Sequence, residues 1–213
     1  MKALILRELR LAASGGHALL PVIFFLLVAT LFPFAVGPDR ALLARTGGGA
    51  LWMAALLAAL LPVERLVEPD RASGMLDQLA VRGMAEEGIA AAKLIGHWLS
   101  FGPPLMLAAI PAAALMKLPA GVLARLELGL LIGTPGLAAL TLMVAALTAG
   151  LRGTGALAGL LMLPLAVPIL IFGAGLIEQG SGTGAAKLLG AISLLLVAAA
   201  PFAAGAAIRA SRD

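Results

Sequence analysis

The charged side chains of this sequence are concentrated in one segment, residues 64–93. Ten of the 26 acidic and basic residues lie there, six acidic and four basic. A charge at the centre of a bilayer costs roughly 2.5–3.5 kcal/mol even on lenient insertion scales. The segment must therefore lie outside any membrane that the apolar remainder of the chain crosses. Its net charge of −2, four basic minus six acidic, favours contact with a soluble partner.

The first half of this segment could meet a partner through both charge and an apolar helix face. Met75, Leu76 and Leu79 share one face of a predicted short helix, whereas Asp77 turns away from it. The candidate contact residues are Glu64, Arg65, Glu68, Asp70, Arg71, Gly74, Met75, Leu76, Asp77 and Leu79. The alternative is a solvated loop that binds nothing.

The sequence offers no set of residues for catalysis or for binding a metal. His17 and His97 are isolated at the ends of apolar stretches, without cysteine or paired carboxylates nearby. The glycine-rich run at 180–187 lacks the P-loop spacing and has no Ser or Thr after Lys187. We therefore expect a non-catalytic chain, and any ATP hydrolysis belongs to a partner chain.

Composition indicates an integral membrane protein. Hydrophobic residues make up 62% of the 213 residues and charged residues only 12%, against about 25% charged in soluble domains. The absence of cysteine excludes disulfides and thiolate metal sites. The net charge of +4 is typical of cytoplasmic loops rather than of a nucleic-acid partner.

The apolar stretches predict an all-α protein with six transmembrane helices. A helix needs about 20 apolar residues to cross the hydrocarbon, and open strands cannot survive in lipid. The whole chain, 1–213, is expected to form a single transmembrane domain, with an interfacial N-terminal helix at 1–16. The predicted spans are about 17–37, 47–63, 94–116, 128–150, 155–177 and 188–208, and residues 64–93 form a cytoplasmic loop.

The distribution of Lys and Arg predicts the orientation. One side of the six-span arrangement carries ten of these residues and the other five. The richer side, which holds both termini and residues 64–93, is expected to be cytoplasmic. Trp52 and Trp98 fall near span ends, where aromatic belts form.

Small residues and prolines within the spans are candidates for helix packing. Gly129 and Gly133 are four apart, as are Gly155 and Gly159, a spacing that lets helices approach closely. A chain with 26 glycines also produces such spacings by chance. Pro164 and Pro168 lie four positions apart in the fifth span, so we expect two kinks on one face of that helix.

Several stretches of the sequence are distinctive: FPFAVGP at 32–38, LWMAALLA at 51–58, the charged run 64–79, KLIGHW at 93–98, GTP at 133–135 and LPLAVPILIFG at 163–173. The last of these is the most specific. Together they resemble the heme-exporter B (CcmB) family, the membrane subunit of an ABC complex in bacterial cytochrome c maturation.

The resemblance implies one half of an ABC-2-type exporter in the bacterial inner membrane, with both termini cytoplasmic. The expected partners are two copies of a soluble ABC ATPase, a second copy of this chain, a haem-handling membrane protein, a small accessory membrane subunit and a periplasmic haem chaperone. In this interpretation the contact residues of 64–79 couple ATP hydrolysis to haem export or to release of the haem-loaded chaperone.

No bound cofactor is expected, and haem is a candidate cargo that His97 and Trp98 could contact. Two alternatives stay open: a generic ABC-2-type permease for another substrate, and a passive membrane scaffold. The residues at 163–173 argue against the first alternative. ATPase stimulation on reconstitution would separate the second from a transporter.

Overall fold

The computed structural model describes residues 2–14, 19–37, 39–151, 154–177 and 182–211. Within these ranges the chain is almost entirely helical and contains no strand. The helices are α1 (Lys2–Ser14), α2 (Leu19–Val36), α3 (Arg40–Leu60), α4 (Val63–Leu66), α5 (Glu68–Ala72), α6 (Met75–Val81), α7 (Glu86–Leu115), α8 (Ala120–Thr148), α9 (Thr154–Ile177) and α10 (Gly182–Ala210).

Six of these helices are long and apolar enough to cross a membrane: α2, α3, α7, α8, α9 and α10. The prediction of an all-α protein with six transmembrane helices is therefore confirmed. Helices suit this role because each one satisfies its own backbone hydrogen bonds in lipid. With 30 residues in α7 and 29 each in α8 and α10, these helices exceed the roughly 20 residues that the hydrocarbon requires. Their ends therefore extend beyond the hydrocarbon.

Helix α8 lies at the centre of the bundle. It packs against α3, α7, α9 and α10, and it is the most deeply buried of the six long helices. Helix α2, by contrast, packs on α3 and α7 and exposes large apolar side chains such as Leu27 and Phe34. In a membrane, such an apolar surface contacts lipid or another subunit.

An indole fills the space between α3, α8 and α9. Trp52 of α3 is fully buried, with its ring against Gly129 and Gly133 of α8 and Gly173 of α9. A Cβ atom at Gly133 would lie 2.5 Å from Cη2 of the indole, and one at Gly173 would lie 2.6 Å from its Cε2. The expectation that Trp52 belongs to an interfacial belt is therefore wrong, because the bundle encloses the ring.

The remaining candidates for helix packing lie in α9. Gly155 is in its first turn, and a Cβ atom at Gly159 would make an ordinary 3.7 Å contact with Leu60. Pro164 and Pro168 are both exposed, and the helix continues through both of them. Neither proline ends the helix.

The end of α10 is joined to the start of α7. Arg209 donates hydrogen bonds to Glu86 (3.2 Å) and Glu87 (2.9 Å). These exposed ion pairs contribute little by themselves. The two helices also pack closely at Gly205, where a Cβ atom would lie 3.0 Å from the backbone nitrogen of Glu87. The absence of a side chain lets α10 approach the first turn of α7.

We predict that Gly173→Ala destabilises the fold by about 1–3 kcal/mol, because the new methyl group overlaps the rigid Trp52 indole. Thermal unfolding of the detergent-solubilised protein, followed by circular dichroism, measures the effect. Gly49→Ala is the matched control, since no side chain and no neighbouring segment of the described residues lies within 4 Å of that Cβ position. Adding Trp52→Phe should restore part of the stability; a melting temperature for Gly173→Ala equal to that of Gly49→Ala would contradict the packing account.

Candidate functional site

The segment after α3 folds into the three short helices α4, α5 and α6, and its last residues, 86–93, form the first turns of α7. Pro69 lies in the first turn of α5, where its missing N–H is not needed by the helix. Gly74 precedes α6 with φ of +69°, a conformation that glycine adopts without strain. Because Glu68 and Asp70 are two positions apart on α5, their carboxylates point to different sides of the helix.

The carboxylate of Asp70 belongs to a closed ring of four charges, here called the charge ring: Arg7, Glu8, Asp70 and Lys93. Arg7 donates to Asp70 through Nη1 (3.0 Å to Oδ2) and Nη2, and Lys93 Nζ donates to the same carboxylate. Glu8 completes the ring, with Oε1 at 2.9 Å from Arg7 Nη1 and 3.3 Å from Lys93 Nζ. Each anion therefore contacts both cations, and α1, α5 and α7 are joined at one point.

Because two members of the charge ring are buried, its positive and negative charges must balance for the fold to be stable. Asp70 is 5% exposed and Lys93 is 3% exposed, so both are largely removed from water. Removing an ion from water costs several kcal/mol, and only close partners of opposite sign offset that cost. The hydrogen bond to Asp70 raises the pKa of Arg7 above its ordinary value, which outweighs the opposite effect of burial. The ring is neutral as a whole, with two cations and two anions.

The second carboxylate of α5 reaches a different part of the bundle. Glu68 Oε2 accepts a hydrogen bond of 2.7 Å from the backbone nitrogen of Gly150, in the turn that follows α8. Arg71 donates to Glu68 at 2.9 and 3.0 Å, and its guanidinium lies beside Gly150, where a Cβ atom would come within 3.2 Å of it. Gly150 has φ of +84°, a second reason for glycine at this position. Helix α5 thus connects α1 and α7 to the turn between α8 and α9.

The structure separates the predicted contact residues into outer and inner groups. Glu64, Arg65 and Asp77 are exposed, whereas Glu68, Arg71, Gly74 and Met75 are half-buried and Asp70, Leu76 and Leu79 are buried. Asp70 is held inside the chain by the charge ring, so it cannot be a direct contact of a soluble partner in this conformation.

The apolar face of α6 also differs from the expectation. Leu76 and Leu79 are 1% and 5% exposed and belong to the chain's own core, with Met75 packed against it. In this conformation that face cannot fill a groove on a partner, because α6 uses it to pack onto the bundle. The side of α6 that remains accessible carries Asp77, Gln78 and Val81.

A cavity of about 490 Å³ lies beneath α1. Its polar lining combines part of the charge ring with neighbouring groups: Glu8, Arg65, Asp70, Lys93, His97 and Ser100. Proline and leucine side chains and Phe101 form its apolar walls. The cavity is therefore amphipathic and lies where α1, α4, α5 and α7 meet.

His97 is the most unusual group of this lining. It is 4% exposed, and its ring stacks on Phe101 with the centroids 4.9 Å apart. Its Nε2 has no hydrogen-bond partner among the residues that the structure describes. Trp98, its neighbour in sequence, lies elsewhere, since its Nε1 donates to Thr134 of α8 at 3.1 Å. The structure therefore does not bring these two candidate haem contacts together. His17 lies outside the described residues, among which no group of side chains could hold a metal ion.

Sequence reasoning missed three members of the charge ring as site residues: Arg7, Glu8 and Lys93. One signal was available, because Glu8 is the only acidic residue before Asp39, in a stretch that otherwise carries positive charge. An acidic residue in such a stretch indicates a specific basic partner. Its partner Lys93 is 85 positions away, which no local pattern reveals.

The six apolar spans, together with the charged segment that joins two of them, define a multi-pass membrane protein. The family model described as CcmB protein matches residues 1–211, so the chain belongs to the CcmB family. The resemblance found in the sequence is thereby confirmed.

Curated relatives of similar length agree with this assignment, and each is named heme exporter protein B. The Rhodobacter capsulatus protein is 46% identical, with 98% of each chain covered. The Haemophilus influenzae protein is 42% identical over 99% of this chain and 97% of its own. The Escherichia coli K12 protein is 38% identical over 96% of this chain and 95% of its own.

We predict that Asp70→Asn lowers the free energy of unfolding by about 3 kcal/mol, because it leaves two cations facing one anion in a buried site. Lys93→Met should have a similar cost. The double variant Asp70→Asn/Lys93→Met keeps the ring neutral and should cost less than the sum of the two single changes. Thermal and denaturant unfolding in detergent measure this cycle.

The matched control for this cycle is Glu64→Gln, since Glu64 is an exposed acid close to Asp70 in sequence. It should change stability by less than about 0.5 kcal/mol. Strict additivity of the Asp70 and Lys93 changes would contradict the charge ring as a coupled unit.

Proposed function

We propose that this chain is a non-catalytic permease subunit of a haem-exporting complex in the bacterial inner membrane, acting in cytochrome c maturation. Membership of the CcmB family and relatives named heme exporter protein B over nearly the whole length support this function. The six long apolar helices support a multi-pass location in the membrane.

The finer proposal is that α5 couples ATP hydrolysis by a separate ATPase subunit to the membrane spans. The observation that carries it is the pair of links made by α5: Asp70 to α1 and α7, and Glu68 to the turn between α8 and α9. A force applied to α5 would act on both sides of the bundle at once. The accessible surface for an ATPase then consists of the outer residues of α4 and α6, including Glu64, Asp77 and Arg82.

Orientation is part of this proposal. Both termini and the α4–α6 segment are assigned to the cytoplasmic side, on the bias of ten against five Lys and Arg residues. The contact between Arg7 and Asp70 supports this arrangement, because it requires α1 and α5 to lie on the same side of the membrane. An ATPase in the cytoplasm could then reach α5 and α1 together.

The proposed complex contains two copies of this chain and two of a soluble ABC ATPase, with a haem-handling membrane protein, a small accessory subunit and a periplasmic haem chaperone. ATP hydrolysis drives either haem export through the spans or release of the haem-loaded chaperone. The rival function is a passive scaffold that holds the partners together. The double link of α5 favours coupling, because a scaffold does not require the ATPase-facing segment to be tied to both sides of the bundle.

Covalent-haem staining of c-type cytochromes in a deletion strain tests the proposal. The stained bands should disappear on deletion and return when the wild-type gene is restored. Haem bound to the periplasmic chaperone separates the two steps, since accumulation indicates failed release and absence indicates failed supply. Unchanged bands after deletion would contradict a function in cytochrome c maturation.

In the same strain, we predict that Glu68→Ala restores far less stained cytochrome than wild type, at equal protein level. Loss of the carboxylate removes the link from α5 to Gly150 while leaving the outer surface of α4 and α6 intact. The ATPase should therefore still co-purify with this variant, but its stimulation by the membrane subunit should fall.

The matched control for this variant is Glu87→Ala, which removes an acid that pairs with the exposed Arg209 in the described part of the chain and should behave as wild type. Full activity of Glu68→Ala would contradict coupling through this link. An ATPase rate that is the same with and without the wild-type chain would favour the passive scaffold.

A further inference from the structure

The amphipathic cavity beneath α1 is open at one end and closed at the other. Its mouth lies at the exposed residues Leu11, Arg65 and Pro69. At its inner end the lining is buried and apolar, with Pro21 of α2 and Phe101 of α7. A volume of about 490 Å³ falls in the range of roughly 300–1,000 Å³ that small-molecule sites occupy. A ligand therefore has a path from the surface to an apolar interior.

The cavity lies at the level where the spans meet the charged segment. Lys93 lines it as a member of the charge ring, and Phe101 lines it eight positions further along α7, about 12 Å along the helix axis. A helix that crosses the bilayer at the usual tilt of about 20° keeps most of this depth. Each headgroup layer of a bilayer is only about 5–8 Å thick. The lining therefore extends from the depth of the headgroups into that of the hydrocarbon.

The charges at the mouth favour an anionic ligand. The members of the charge ring that line the cavity pair with one another, so the ring as a whole is neutral. Among the described lining residues, Arg65 is the cation outside the ring, and a guanidinium binds phosphate through paired N–H donors. Helix α1 adds a net charge of +2, from Lys2, Arg7 and Arg10 minus Glu8.

A second pocket adjoins the cavity at Leu11, which lines both. Its volume is about 340 Å³, and its other lining residues are Ala3, Leu6, Arg7 and Arg10. Leu6 and Leu11 are each 49% exposed, although they are apolar. Exposed leucines beside arginines on a helix at the membrane surface are suited to contact acyl chains and headgroups together. The surface of α1 therefore continues the amphipathic character of the cavity.

We propose that the cavity binds one phospholipid with an anionic headgroup, drawn from the leaflet on the side of α1. Its phosphate lies at the mouth and accepts hydrogen bonds from Arg65, and one acyl chain enters the apolar end between Pro21 and Phe101. The second chain follows Leu11 and Leu6 along α1. The bound lipid fills the space between α1, α4 and α7 and thereby anchors the charged segment at the membrane surface. The site depends neither on the ATPase nor on the cargo.

Photo-crosslinking followed by peptide mapping tests this site. The purified complex, in detergent micelles, is incubated with phosphatidylglycerol that carries a diazirine in one acyl chain, and mass spectrometry locates the adducts. We expect adducts in α1, in the start of α2 and in the first half of α7. Unlabelled phosphatidylglycerol should compete for them much better than phosphatidylcholine with the same chains. Inorganic phosphate at the same concentration should not compete, because it lacks the chains that the apolar lining receives.

Arg65→Ala should lower the yield of these adducts at least about fivefold, because the phosphate loses its charged donor. Ala12→Phe should lower it as well, since Ala12 lines the cavity and the larger ring fills it without changing any charge. The matched control is Lys2→Ala, an exposed cation of α1 that is not among the described lining residues of either pocket. Its adduct yield should stay within about twofold of wild type, since a distant surface charge contributes little.

Arg65 is exposed, so its replacement should leave the melting temperature close to that of wild type. Adduct yields equal to wild type in both Arg65→Ala and Ala12→Phe would overturn the proposal, whatever haem staining shows. Adducts spread evenly over the outer faces of α9 and α10 would also overturn it, because they would indicate unspecific contact with surrounding lipid. Competition by haem but not by unlabelled phosphatidylglycerol would assign the cavity to the cargo and contradict a lipid site.

Discussion

The arrangement of this protein outside its spans depends on four charges that neutralise one another, two of which are buried. Asp70 and Lys93 are almost inaccessible to water, and they are neutralised by each other and by Arg7 and Glu8. The same constraint that makes the ring costly to break also fixes three helices that are distant in sequence. Ion pairs therefore help to fix how α1, α5 and the first turns of α7 meet, whereas the long spans pack through apolar side chains.

The two carboxylates of α5 connect the charge ring to the turn that follows α8. Asp70 faces the ring, and Glu68 holds the backbone of Gly150 on the other side of the helix. Helix α8, which ends just before Gly150, is the most deeply buried of the long helices and packs on α3, α7, α9 and α10. Movement of five residues in α5 can therefore reach the centre of the bundle through short, direct contacts.

The six spans follow from the sequence because their apolar length alone decides whether a helix can cross lipid. The contact residues of 64–79 were harder to assign, since burial depends on what the folded chain brings beside them. Leu76 and Leu79 look like an interaction face in isolation, yet the bundle already covers them. Trp52 was similarly misplaced, because the glycines that receive its ring come from two other helices. Long-range partners of this kind leave no periodic signal.

Hydrogen exchange of the purified complex, with and without a non-hydrolysable ATP analogue, tests most directly whether α5 and α1 act as one unit. If the charge ring transmits movement, nucleotide binding changes the exchange of amides in α5 and in α1 together, with a smaller change at the turn containing Gly150. A nucleotide-dependent change confined to α5, with α1 exchanging at the same rate in both states, would contradict transmission through the charge ring.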